Sequence, residues 1–175
     1  AGPVLDKIAE LGCELEKIIA THGHLDHIAG TEEMKRLTGC EFWFPRGDDF
    51  IRENLPAQAE VYGWGPIKVP AVEHDVNKLD VLRVGDQELQ IRHCPGHTPG
   101  HVVYFHEHSS QLIAGDVIFA GSVGRTDFPR GSWEDLQDSI RRQIYSLPPA
   151  TKIHCGHGPT TSVGFEASNN PFVRA

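Results

Sequence analysis

Four short apolar runs in this chain end the same way, with a histidine or aspartate framed by glycine or proline. "EKIIAT" (16–21) leads into "HGHLDH", "ELQIRHC" (88–94) into "PGHTPGH", "QLIAG" into Asp116, and "TKIHCG" (151–156) into His157. Runs of this length, rich in Ile, Leu and Val and bounded by turn residues, read as strands. Residues just past strand ends line one edge of a sheet, where loops from distant parts of the chain converge. Glycine and proline fix such loops and let the backbone come close to a bound group. The pattern therefore asks for a sheet-based fold that gathers its polar residues along one edge.

The densest of these segments is "THGHLDH", Thr21 to His27, with three histidines and an aspartate. A lone histidine is usually a packed or surface residue. Four ligand-type side chains within six positions, joined by His97, Asp116 and His157, point instead to metal. Imidazole and carboxylate together suit zinc, iron or manganese, and two ions held roughly 3.5–4 Å apart can share a hydroxide. Asp26 and Asp116 are the expected catalytic carboxylates, acting as ligands rather than as free general bases.

The rest of the chain alternates helix and strand. "AGPVLDKIAELG" reads as a helix with Val4, Ile8 and Leu11 on one face, stopped at Gly12. "HIAGTEEMKRLTG" (27–39) reads as one helix, "CEFWF" as a strand and "GDDFIRENL" (47–55) as a helix. Residues 56–79 carry three prolines and read mostly as loop. "DVLRV" and "ELQIRHC" form a hairpin across Gly85-Asp86, and "HVVYFH" and "QLIAGD" form the next strand pair. Ser132 is placed to cap the helix "WEDLQDSIRRQIYSL", with Asp135 at the capping-box spacing and Leu136, Ile140 and Ile144 on one stripe. "SVGFEASNN" reads as a short terminal helix. With 175 residues and no linker or repeat, the expectation is a single mixed α/β domain, residues 1–175, with a core of its own.

The formal charge of −8 argues against nucleic acid and anionic membrane as partners, since both need a basic surface. No apolar run approaches the roughly 20 residues of a membrane span. Cys13, Cys40, Cys94 and Cys155 lie far apart, so reduced thiols and a cytoplasmic location are expected.

The segment His22-x-His24-x-Asp26-His27, followed in order by His97, Asp116 and His157, resembles the signature of the metallo-beta-lactamase superfamily. "CPGHTPGH", "GDVIFAGSVGRTDFPRG" and "GHGPTT…E…NPF" are most similar to its short glyoxalase II-type hydrolases. The resemblance implies a four-layer αββα sandwich whose N-terminal strands are missing from this chain. It also implies two divalent ions, zinc foremost, with iron or manganese as alternatives. His22, His24 and His97 would hold the first, Asp26, His27 and His157 the second, and Asp116 would bridge them. The implied substrate is a small thioester such as S-lactoylglutathione, attacked by the bridging hydroxide. The further expectation is a chain without the helical domain that holds glutathione in full-length glyoxalase II enzymes. Arg125 matches a basic residue that contacts the glutathione carboxylate, or else pairs with Asp127 to stiffen its loop. Persulfide dioxygenases with a single iron share "GRTDF", and hydrolysis of another ester or amide is a further alternative.

The other histidines have plainer expectations: His74, His106 and His108 at the surface, His93 and His101 structural, with His101 lying behind His97. Cys94 and Cys155 are read as packing residues. Trp64 is a candidate for the wall of a substrate cleft.

Overall fold

The computed structural model describes residues 1–175. In chain order the elements are α1 (Gly2–Glu10), β1 (Ile18–Ile19), α2 (Leu25–Ile28), α3 (Thr31–Thr38), β2 (Phe42–Phe44), α4 (Asp49–Glu53), α5 (Leu55–Tyr62) and β3 (His74–Asp75). There follow β4 (Val81–Val84), β5 (Gln87–His93), β6 (Val102–His106), β7 (Gln111–Gly115), β8 (Ile118–Phe119), β9 (Ser122–Val123), α6 (Trp133–Ser139), β10 (Lys152–Cys155), β11 (Thr161–Ser162) and α7 (Val163–Asn169). Strands β1, β2 and β3 form a small parallel sheet, and the large sheet has the order β11-β10-β7-β6-β5-β4. No helix is long and apolar enough to cross a membrane.

Side-chain alternation along the strands sorts the core into layers. In β6, Val103 and Phe105 face the helical side, where Leu136, Ile140 and Ile144 pack on them. Val102 and Tyr104 face the other way and meet Ile19 and Trp43 of the small sheet. The opposite face of that sheet, Phe42 and Phe44, packs on Leu25, Ile28, Leu55 and Ala59 from the outer helices. Helix, sheet, sheet and helix follow in order, which is the expected αββα sandwich.

The topology also explains why the ligand-type residues meet. Strands β5 and β7 are each antiparallel to β6, and β10 is parallel to β7, so β5, β7 and β10 all end at one edge. The end of β1 is tied to that edge by the Val102 amide donating to the Thr21 carbonyl and by the Tyr104 hydroxyl donating to the Ala20 carbonyl.

Several elements differ from the sequence reading. Residues 56–79 are loop over only half their length: they hold most of α5, whose Leu55 and Ala59 are fully buried, and strand β3 with the 3-10 turn Val76–Lys78. Pro56 lies in the first turn of α5, where a missing N–H costs nothing, so a residue that signals a break instead begins a helix. The helix expected over 27–39 is split at Gly30, with α2 carrying Asp26 and His27 and α3 starting afresh at Thr31. The helix expected over 47–55 is a 3-10 turn, Arg46–Asp48, leading into α4. The helix after Ser132 starts as expected, with the Ser132 hydroxyl accepting from the Asp135 amide, then widens into a π turn over Ile140–Ile144. That turn keeps Ile140 and Ile144 both fully buried.

Candidate metal centre

The structure brings all seven expected residues together at the strand-end edge. His22, His24 and His97 form one group of mutually close ligand atoms, and Asp26, His27 and His157 form another. Asp116 stands between them. Its Oδ1 is 3.4 Å from His27 Nε2, while its Oδ2 is 3.4 Å from His157 Nε2 and 3.7 Å from His97 Nε2. His22, His27 and Asp116 make a third group that links the two sets. In the first set His22 and His97 are buried and His24 is half-buried. The second is more open, its His157 side chain 57% exposed.

Two of the rings are aimed by their other nitrogen. His22 Nδ1 lies 3.1 Å from the Thr21 hydroxyl, and His97 Nδ1 donates to the Arg125 backbone carbonyl at 2.7 Å. The carbonyl leaves His97 Nε2 with its lone pair, and the Thr21 hydroxyl, by accepting from Nδ1, would do the same for His22, the arrangement by which partners on the far nitrogen orient metal-binding imidazoles. His22 Nε2, His27 Nε2 and Asp116 Oδ1 are buried and meet no hydrogen-bond partner. Buried polar atoms left unpaired are costly. Lone pairs converging on one spot fit a cation that accepts them, so the donor set suits divalent metal.

The electrostatics agree. Burial lowers His22 well below the ordinary histidine range; burial first and then His97 bring His24 to about 4, and His97 is lowered by burial as well. These rings are neutral at pH 7, the state in which imidazole binds metal. His27 goes the other way, to about 9. Burial opposes its charge, but Asp116 and Asp26, each with an oxygen 3.4 Å from Nε2, outweigh that cost. Neither carboxylate aligns as a hydrogen bond there, so the attraction is that of charge for charge. His27 in turn holds Asp26 at about 2. The protein thus favours positive charge between Asp26 and Asp116.

Glycine is required close to Asp116. A Cβ at Gly156 would lie 2.0 Å from Asp116 Oδ1, and one at Gly115, where φ is +50°, would lie 2.5 Å from the Thr21 hydroxyl. His101 is fully buried, stacks on His22 with ring centroids 4.7 Å apart, and accepts the Asp116 amide on Nε2 at 3.1 Å. It touches the cluster through His22 and the Asp116 backbone, so its structural role includes aiming the shared carboxylate.

Two acidic residues near the centre were not picked out from the sequence. Asp48 is fully buried and accepts from the Gly23 amide (3.0 Å), the Thr98 hydroxyl (2.6 Å) and the Gly100 amide (2.7 Å). It clamps the loop of His22 and His24 to the loop of His97. Glu166, also fully buried, accepts from the Gly121 amide, the Thr161 hydroxyl (2.6 Å) and the Asn170 side chain (2.8 Å). It fixes the β8–β9 turn and the segment after His157. Only their position in the fold distinguishes them from surface carboxylates.

A cavity of about 770 Å³ opens over the centre, bordered by His24, Asp26, His97, Asp116 and His157 at its floor. Trp64 and Arg125 are both on its wall. The Arg125 guanidinium pairs with Asp127 through two bonds of 2.7 and 2.6 Å and lies 4.2 Å over the Phe128 ring. The histidines expected elsewhere stay apart from the cluster: His93 is exposed, His74 stacks on Trp43, and His106 bonds Gln87 and Ser109. All four cysteines are unpaired, and Cys94 is packed in the core against the helical layer.

A four-layer αββα fold with histidines and aspartates gathered at one strand-end edge defines a class, and residues 3–157 match it: the chain belongs to the metallo-beta-lactamase superfamily. Among its relatives, the hydroxyacylglutathione hydrolase GloC of Haemophilus influenzae is 37% identical over 174 residues, covering 98% of this chain and 82% of that one. Of solved structures, the BLEG-1 B3 metallo-beta-lactamase superposes with a TM-score of 0.89 at 29% identity, covering 99% of this chain and 84% of that one. TTHA1623 in a di-iron-bound form gives 0.87 at 32% identity, covering 98% and 84%.

Proposed function

We propose that the chain is a metal-dependent hydrolase of thioesters, of the glyoxalase II type, acting on S-lactoylglutathione or related S-acyl thiols. The observation that carries this reading is Asp116, whose two oxygens face histidines of both ligand groups at the floor of an open cavity. His22, His24 and His97 would hold one divalent ion and Asp26, His27 and His157 a second, with Asp116 shared. Zinc is the expected metal, and iron and manganese suit the same donors. Such a pair, when bound, supplies a hydroxide at neutral pH and polarises a carbonyl.

The chain's own residues prepare the place for that chemistry. Thr21 and the Arg125 carbonyl orient the rings of His22 and His97, His101 holds the Asp116 backbone, and Asp48 fixes the loops against each other. Asp26 and Asp116 serve as ligands. Neither cysteine next to the ligand segments is suited to be the nucleophile: burial raises the Cys94 thiol well above its ordinary value, and Cys155 is raised by burial too. The kinship with hydroxyacylglutathione hydrolases supports the thioester, and the acidic surface supports a small-molecule partner over nucleic acid or membrane.

The test is metal analysis of the purified protein, paired with thioester hydrolysis before and after chelation. Two ions per chain, and a rate lost with the metal and restored by adding it back, are expected. A full rate in metal-free protein would refute the reading. A second reading is favoured by the openness of the second group, where His157 and Asp26 are 57% and 45% exposed. A centre filled by a single iron fits oxidation of a glutathione persulfide. One iron per chain with oxygen uptake on that substrate would select it.

A further inference from the structure

We infer that the cavity takes substrates carrying a bulky apolar group beside the thioester, and that Tyr62, Trp64, Phe119 and Phe128 set this preference. The inference rests on the thioesterase reading of the centre and narrows its substrate class.

Above the floor, the wall is largely aromatic and aliphatic: Phe50, Tyr62, Trp64, Phe119, Phe128 and Pro129 all line it. Its volume of about 770 Å³ lies in the range of roughly 300–1,000 Å³ typical of pockets that enclose a whole small molecule. A lactoyl group alone would leave most of that space unfilled. Tyr62 and Trp64 are 61% and 54% exposed at the mouth, large apolar surfaces that a ligand would remove from water. Gly63 and Gly65, both with positive φ, set Trp64 in a turn at the end of α5 that few other residues could form.

Charge on the wall points the same way. Glutathione carries two carboxylates and an ammonium group, and a site that reads it needs free partners for them. Arg125 is the only lysine or arginine lining the cavity. Its guanidinium is already paired with Asp127 and stacked on Phe128. The neighbouring Arg130 lies 4.1 Å over the Phe50 ring and is not part of the lining. Recruiting Arg125 to a carboxylate would mean breaking a two-bond pair to form another. An apolar substituent asks for no such exchange, and each methylene it buries adds affinity.

The test uses the metal-loaded protein and two ladders of ligands. In the first, non-hydrolysable thioethers of N-acetylcysteamine, with S-substituents from ethyl to hexyl and benzyl, are titrated by calorimetry. Affinity should rise about threefold to fourfold per added methylene. Trp64→Ala should cost the hexyl and benzyl ligands about tenfold more than the ethyl one, as expected for lost apolar contact. A flat ladder, or S-ethylglutathione binding more tightly than the hexyl ligand, would overturn the inference.

The second ladder uses thioesters, with the acyl group lengthened at fixed thiol and then the thiol lengthened at fixed acetyl. The arm whose kcat/KM climbs shows which half of the substrate meets the aromatic wall. If both arms stay flat while measurable hydrolysis continues, the inference fails. If no thioester is hydrolysed at all, the thioesterase reading fails, and the thioether titration still decides whether the cavity selects apolar groups.

Discussion

Replacing Asp48 by asparagine tests whether the two ligand loops are held together by one buried carboxylate. Oδ2 accepts from the Gly23 amide and the Thr98 hydroxyl, and Oδ1 accepts from the Gly100 amide at 2.7 Å. Asparagine can keep its carbonyl at the Oδ2 position and save two of these bonds. Its NH2 group then faces the Gly100 N–H, donor against donor. A hydrogen bond to a charged group contributes about 1.5–3 kcal/mol, and a buried donor left unpaired costs about 1–3 kcal/mol. Against this, the variant no longer buries a charge, and that relief is real because burial raises Asp48 above the usual carboxylate range despite its three bonds. A net loss of about 2 kcal/mol at neutral pH is expected, or about 4–8 °C in Tm for a domain of this size. The assays are urea unfolding and calorimetry, with metal release to a chelator followed in parallel, since the clamped loops carry His22, His24 and His97. The sign of the pH dependence is a further check. A folded-state pKa above the unfolded one means that Asp48 contributes most below the ordinary carboxylate range and less as pH rises through the raised value. Asparagine does not titrate, so the gap between wild type and variant should narrow from acid toward neutral pH. A variant within 0.5 kcal/mol of wild type, with unchanged metal release, would show that the loops are held by something else.

Asp116→Ala should lose metal from both groups and nearly all hydrolysis, with metal content and turnover measured on the same sample; His74→Ala, remote from the cluster, should keep its metal. Cys94→Ala and Cys155→Ala should keep most of their turnover, and intact-mass analysis should show no acyl-cysteine intermediate. Because burial holds the Cys94 proton, iodoacetamide should leave Cys94 unmodified at pH 9 in folded protein while exposed Cys13 reacts. Glu166→Gln loses the charge that strengthens the carboxylate's bonds, and its NH2 faces either the Thr161 hydroxyl, which must then turn to accept, or the Asn170 NH2, donor against donor. It should destabilise the fold by about 1–3 kcal/mol and raise KM more than it lowers kcat, because the turn it holds carries Phe119 and Ser122 of the cavity wall.

The candidate ligands were legible because few side chains bind metal and because each of their four segments follows a strand and contains glycine or proline. Strand β6 was legible as the unbroken apolar run in "HVVYFH", and such a run rather than alternation is what a strand covered on both faces carries. Asp48 and Glu166 were not legible. In "RGDDF" and "GFEASNN" they look like any solvated carboxylate, and only the folded loops supply the amides that make them buried acceptors. Arg125 shows a different limit. Its side chain drew attention in the sequence, whereas the part that touches His97 is its backbone carbonyl, which every residue has. Helix α5 was hidden by Pro56, because the same residue ends a helix or opens one depending on which turn it occupies.

The turn at Gly85–Asp86 divides the seven residues of the centre unequally. His22, His24, Asp26 and His27 precede it, and His97, Asp116 and His157 follow. Each proposed ion would draw on both halves: two histidines before the turn and one after it in the first group, an aspartate and a histidine before it and one histidine after it in the second. Neither half alone holds a complete set. If the polypeptide were severed at that hairpin, the two pieces would share their coordination sphere as they share the β4–β5 pairing. The metal would then be the join between them, and chelation would become a means of taking the molecule apart.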